Sequence, residues 1–105
     1  MSTKKLIEDL IRRYERDEKL PELRVEQVIN IISKEFEEYD YKAGSHIVII
    51  DSRIKRYYEL YKDNDFAPDG TFTIPVKSGQ FISRFYIKDL VKALKLIREL
   101  EDKSE

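Results

Sequence analysis

Apolar positions fall along this chain in two rhythms, one with a period near 3.6 residues and one near 2. The strongest helical rhythm is Val25, Val28, Ile29, Ile32 and Phe36, spaced i, i+3, i+4, i+7 and i+11. It predicts an amphipathic helix over residues 22–36 with one stripe that needs a core to cover it. Leu6, Ile7, Leu10, Ile11 and Tyr14 keep the same spacing behind Thr3, a residue suited to capping, and predict a helix over 3–19. Leu20-Pro21 ends it, because a residue before proline is pushed out of the helical region. A closing helix is predicted from about Ser83 to Glu101, with Ile87, Leu90, Val91, Leu94 and Ile97 inward.

Between these helices the rhythm changes. Tyr39-Asp40-Tyr41-Lys42 alternates aromatic and polar residues as a strand does, and Ala43-Gly44-Ser45 supplies a tight turn. His46-Ile47-Val48-Ile49-Ile50 is short, β-branched and apolar on both faces, which predicts a central strand. A sheet backed by helices on one side would leave its other face bare, so the helix at 3–19 is expected to cover that surface, in cis or across a homodimer. Thr71-Phe72-Thr73-Ile74-Pro75-Val76 alternates again, and Pro75, lacking a backbone donor, places this strand at an edge. Lys77-Ser78-Gly79-Gln80 is a loop. Residues 51–70 leave two readings open, a short helix begun by Asp51 or Ser52 or an extended hairpin arm. Tyr57, Tyr58 and Tyr61 interleave there with Arg53, Lys55, Arg56 and Lys62, as a stacking surface for nucleic acid or as a satellite packing element. The predicted core is Val25, Val28, Ile29, Ile32, Phe36, Ile47, Ile49, Phe72, Ile74, Leu90, Val91 and Leu94. The fold class is therefore α+β, a three-stranded antiparallel sheet backed by helices, in one domain over 1–105.

Composition narrows the function classes. The chain has 105 residues, 41% of them hydrophobic and 11% aromatic, enough to bury a core, and 39% are charged. There is no cysteine, which excludes disulfides and thiolate metal sites and suits the reducing cytoplasm. The start resembles neither a signal peptide nor a membrane span. A net charge of −1 hides a basic middle, because residues 41–98 carry 11 basic and 6 acidic side chains. A polyanion partner is thus compatible with an acidic whole. Phosphate-binding and dinucleotide-binding glycine loops and a nucleophile elbow are all missing from the sequence, and one histidine without cysteine assembles no familiar zinc site. Asp63-Asn64-Asp65 and Asp69 lack the glycine and terminal glutamate of a calcium loop and read as an acidic turn. No cofactor and no metal are expected.

One ordered set of residues carries chemistry. Gly44-Ser45-His46 opens the central strand, Thr73-Ile74-Pro75-Val76 lies on the next, and a basic helix follows. Over residues 24–97 this order resembles the HicA family of messenger-RNA interferase toxins, which have a double-stranded-RNA-binding-domain-like fold. The resemblance makes 22–97 the family-like core, 3–19 an added helix and 52–70 an insertion between the second and third strands. It implies His46 as the catalytic residue, RNA as substrate and a HicB-like antitoxin protein as partner. The chain departs from the family's pattern at Ile47 and Lys77, where second histidines are common, and at Phe85-Tyr86, where a Gly-Thr pair commonly starts the helix. Attack by a ribose 2′-hydroxyl on the adjacent phosphate needs a base, a proton donor to the leaving oxygen and positive charge at the phosphoryl group. An ordinary imidazole, titrating near ~6.5, can serve as acid or base at neutral pH. Lys42, Ser45, Lys77, Arg84 and Lys88 are the candidate RNA-contacting and phosphate-contacting residues. A non-catalytic nucleic-acid-binding module and a protein-interaction subunit are the alternatives on the same fold.

Overall fold

A computed structural model describes residues 2–42, 45–63, 66–78 and 80–103, without the side chains of Lys42, Asp102 and Lys103. The turn expected at Ala43-Gly44, the Asn64-Asp65 pair and Gly79 lie outside the described residues. In chain order the elements are α1 (Thr3–Glu15), β1 (Leu23–Arg24), α2 (Val25–Glu35), β2 (Glu38–Lys42) and β3 (His46–Ile50). They continue with α3 (Ser52–Tyr61), β4 (Thr71–Pro75), β5 (Phe81–Ile82) and α4 (Arg84–Lys103). The fold is α+β, with an antiparallel sheet ordered β2-β3-β4 and a second, two-stranded sheet of β1 and β5.

Register in the larger sheet follows side-chain alternation. Ile47 and Ile49 on β3 oppose Ile74 and Phe72 on β4, and all four are buried. A one-residue slip would turn every one of them out, so burial of this face specifies the pairing. Pro75 sits on an edge strand, where its missing donor leaves no central ladder bond unmade. The buried face joins α2 and α4 in one core through Val28, Ile32, Leu90, Val91 and Leu94. Two details of the α2 stripe differ from expectation. Ile29 is only partly buried, whereas Ile31 is fully buried. The stripe is therefore turned by part of a helical step, because α2 packs against α1 and the small sheet as well as β2.

Helix α2 also begins later than the apolar spacing suggested. Leu23 and Arg24 are extended and pair with Ile82 and Phe81, and the Val25 N–H donates to the Gln80 carbonyl at 2.9 Å. Gln27 Oε1 then accepts from the Arg24 N–H at 3.0 Å, satisfying one of the donors that a helix start leaves over. Helix α1 stops before its proline. Asp17 adopts a left-handed φ of 56°, and the Glu18 N–H returns to the Arg13 carbonyl at 2.8 Å while the Asp17 N–H reaches Tyr14 at 3.2 Å. This is a Schellman closure with aspartate in the usual glycine place.

The largest correction concerns where α1 lies. It packs against α4 and α2, with Ile7 and Leu10 buried, and does not cover the second face of the sheet. That face carries His46, Val48, Ile50, Thr71 and Thr73, all exposed or half-buried. The reason lies in α4, which buries Ile87, Leu90, Val91, Ala93, Leu94, Leu96 and Ile97. Those positions wrap more of the helix than a single sheet-facing stripe, so α4 needs a second apolar neighbour.

The described residues of 51–70 form a helix followed by a packed turn, not a hairpin arm. Ile54 and Phe66 are buried, and Phe66 meets Phe72 and Tyr57 edge-on at 5.6 and 6.1 Å between ring centres. Gly70 closes this segment with a φ of 85°. A Cβ there would lie 2.6 Å from the Asp51 carbonyl oxygen and 2.8 Å from Lys55 Cβ. Gly70→Ala should therefore cost at least about 1–3 kcal/mol through backbone strain alone. Chemical denaturation of the two proteins measures it, and equal midpoints would refute the assignment of this turn.

Candidate nucleic-acid interface

The candidate residues fall at one end of the larger sheet and in an adjoining groove. His46 opens β3, opposite Lys42 on β2 and Pro75 on β4. The Val76 N–H donates to the Ser45 carbonyl at 2.8 Å, extending the ladder one step past Pro75. Both Ser45 and His46 are exposed, and Ser45 Oγ and His46 Nδ1 share a hydrogen bond of 3.1 Å. With Nδ1–H donating to the hydroxyl, Nε2 is free to act as a base in the neutral ring and as an acid in the imidazolium. With the hydroxyl donating to Nδ1, the neutral ring carries its proton on Nε2 and can only donate a hydrogen bond there. Lys77 leaves β4 two residues after Pro75, so it belongs to the same end of the sheet as His46. The backbone of Lys42 is there too, while its side chain lies outside the described residues.

From Lys77 the chain turns into β5. Ser78 takes a left-handed φ of 53°, and Lys77 and Phe81 exchange backbone bonds of 2.7 and 3.1 Å. Ser83 then starts α4, its Oγ accepting from the Phe85 N–H at 3.3 Å and its carbonyl from the Tyr86 and Ile87 N–H groups at 2.9 and 3.1 Å. The tight connection sets the first turn of α4 beside the elbow that ends α1. Two hollows lie between them, of about 450 Å³ and about 480 Å³. They share Lys19, Leu20 and Arg84, and so form one groove with two lobes.

The expected phosphate-binding residues divide accordingly. Lys77 and Arg84 line the larger lobe, and Arg84 and Lys88 line the smaller one. His46 and Ser45 line neither lobe. Arg13, Lys19 and Phe85 also line the groove, although none of them is among the RNA-contacting residues expected from the sequence. Arg13 and Lys19 belong to the elbow of α1, and no local pattern indicates which other helix that elbow meets. Arg13 is held in place by Asp9 at 3.0 Å and by the Lys19 carbonyl at 3.2 Å.

The segment between β3 and β4 uses its charges differently. Asp51, 1% exposed, caps α3 by accepting the Arg53 N–H at 2.9 Å. The guanidinium of Arg53 grips the same carboxylate through Nε at 2.9 Å and Nη2 at 2.7 Å. It also donates to the Glu35 carbonyl at 2.9 Å and reaches Glu101. Burial pushes the Asp51 carboxyl up. Hydrogen bonds from the Arg53 side chain and backbone and from the Glu37 N–H outweigh burial and hold it below its ordinary value. Arg53 is thus part of the scaffold, and Tyr57 packs on Phe66, so neither supports a free stacking surface on α3. Asp63 pairs with Lys92 at 2.7 Å, and Asp69 accepts from the backbone and hydroxyl of Thr71. Among the described residues no cluster of three or more His, Asp or Glu side chains could hold a metal ion, and no helix is long and apolar enough to cross a membrane. No family model matches the chain, and neither a curated protein nor a solved structure does.

Proposed function

We propose that this chain is an endoribonuclease toxin of the HicA type, built on a double-stranded-RNA-binding-domain-like core of α2, β2, β3, β4 and α4. The observation that carries the reading is the register. It sets an exposed His46 against Pro75 at the end of the sheet from which Lys77 departs. An RNA strand laid across that end would meet an acid/base and then a run of cations at Lys77, Arg84 and Lys88. His46 takes the 2′-hydroxyl proton as that oxygen attacks phosphorus and returns a proton, directly or through water, to the departing 5′-oxygen, leaving a 2′,3′-cyclic phosphate, and the cations offset charge on the phosphoryl oxygens. Ser45 orients the imidazole through its 3.1 Å contact. A HicB-like antitoxin would hold the activity in check in the cytoplasm by covering this end of the sheet.

The test is to incubate the chain with labelled single-stranded RNA and to induce its expression in a bacterial host. Fragments and growth arrest are expected, with both effects lost in His46→Ala. A second reading, a nucleic-acid-binding module without catalysis, is favoured by the separation of the Lys77–Arg84–Lys88 groove from His46. Salt-dependent RNA binding with intact RNA after prolonged incubation would select it.

A further inference from the structure

We propose that the groove between the end of α1 and the start of α4 holds an unpaired stretch of the RNA, with a base stacked on Phe85 and phosphates against Lys19, Lys77 and Arg84. The proposal rests on the reading of the chain as RNA-acting and adds a second contact region, one that takes an unpaired base. Phe85 is 69% exposed, more than any other large hydrophobic side chain among the described residues. Its ring leans edge-on against Tyr86, with centres 5.3 Å apart and planes at 83°. Tyr86 is itself packed against the core, so the Phe85 ring is braced while most of its surface stays in water. Arg84 precedes it, and Lys88 lies three positions on, along the same face of α4.

The two lobes differ in character as nucleotide parts differ. The larger is lined by Arg13, Lys19, Lys77 and Arg84 against a single carboxylate, Glu22, and suits a phosphate backbone. The smaller adds Tyr14 and Phe85 to the shared Lys19, Leu20 and Arg84, with Lys88 and the carboxylates Asp17 and Glu18, and its aromatic walls suit a base. Carboxylates accept hydrogen bonds only, so those two favour a base with an exocyclic amino group. A stacked base must be unpaired, whereas phosphates alone would take duplex or single strand alike.

A fluorescent 2′-O-methyl oligoadenylate roughly 12 nucleotides long tests this with the whole chain. The methyl group blocks 2′-attack, so affinity is read apart from cleavage. Phe85→Ala should bind about tenfold more weakly with an unchanged salt slope, and Phe85→Tyr should bind as the original does. Lys19→Ala should weaken binding and lower the slope of log affinity on log salt by about 0.7. A duplex of equal length and an oligouridylate should both bind less well than the oligoadenylate. Phe85 is exposed, and unchanged thermal melts will show that its replacement leaves the fold intact. Wild-type affinity in Phe85→Ala, equal binding of the duplex, or equal competition by polyglutamate, as for an acidic protein partner, would each overturn the proposal. If RNA is never cleaved yet Phe85→Ala shows the tenfold loss, the groove stands and the nuclease reading falls. Cleavage that depends on His46 with normal binding by Phe85→Ala gives the reverse.

Discussion

His46→Ala is expected to lower the rate of RNA cleavage by roughly 10²–10⁴-fold, the range for removing a positioned acid or base. The fold should not notice. His46 is exposed at the first position of β3, and its side-chain bond is to the adjacent Ser45, so the sheet's buried face keeps all its contacts. Binding of uncleaved RNA should also be close to unchanged, because the phosphate contacts are assigned to Lys77, Arg84 and Lys88. Lys77→Ala makes the opposite pattern. Binding should weaken and its salt dependence flatten by the share of one phosphate contact, while a cleavage step at saturating RNA persists. Single-turnover cleavage of end-labelled RNA, with a thermal melt of each variant, separates the two. Wild-type cleavage by His46→Ala would sink the role given to His46 whatever Lys77→Ala does.

Arg53→Ala should destabilise the protein by roughly 3–5 kcal/mol, the usual consequence of leaving one partner of a buried pair without the other. Asp51 is almost sealed from water, being 1% exposed, and it would lose the two guanidinium bonds, at 2.9 Å and 2.7 Å, that now favour its charge. The bond from the backbone N–H of residue 53 would remain. The effect has a pH signature. In the intact protein Asp51 titrates below its ordinary 3.8, so its contribution is present above about pH 4 and fades as pH falls through its folded value. In Arg53→Ala burial acts on the carboxyl with less to oppose it, so its folded value rises and a protonated Asp51 relieves the strain. The stability difference between the two proteins should accordingly narrow in acid. Denaturant melts at neutral pH and near pH 3.5 test both parts, and a difference under about 1 kcal/mol at neutral pH would contradict the role given to this pair.

Parts of this arrangement are legible in the sequence because they depend on local periodicity. Ile47, Ile49, Phe72 and Ile74 declare a period of 2, and one slip in register would expose all four, so the order β2-β3-β4 and the place of Pro75 follow from pattern and pairing. The same register sets His46 at the end of the sheet that Lys77 leaves. The helix in 51–70 was one of two open readings. What chooses it is Asp51, whose carboxylate caps the first turn while its carbonyl accepts from Ile54 and Lys55. The capping residue is visible in sequence, but its buried partner Arg53 and the distant Glu35 carbonyl are not marked by spacing.

What the sequence determined by itself is the set of long elements and the face each must bury, because both are written in apolar spacing within one segment. Only the tertiary structure decided which faces meet. Strands β1 and β5 are two residues each, too short to show any period, and exist because Leu23 and Arg24 find Ile82 and Phe81 across the fold. Helix α1 shows its stripe plainly, but Ile7 and Leu10 could be buried by any apolar surface. The broad apolar surface of α4, together with α2, was the one that took them. The groove follows from that choice. Arg13 and Lys19 lie far along the chain from Arg84 and Phe85 and share no motif with them, and the four line the two lobes of one groove because burial of Ile7 and Leu10 brings the elbow of α1 to the first turn of α4. The hydrophobic effect has no direction of its own, so it specifies that a stripe is covered and leaves the identity of its partner to the geometry of the whole.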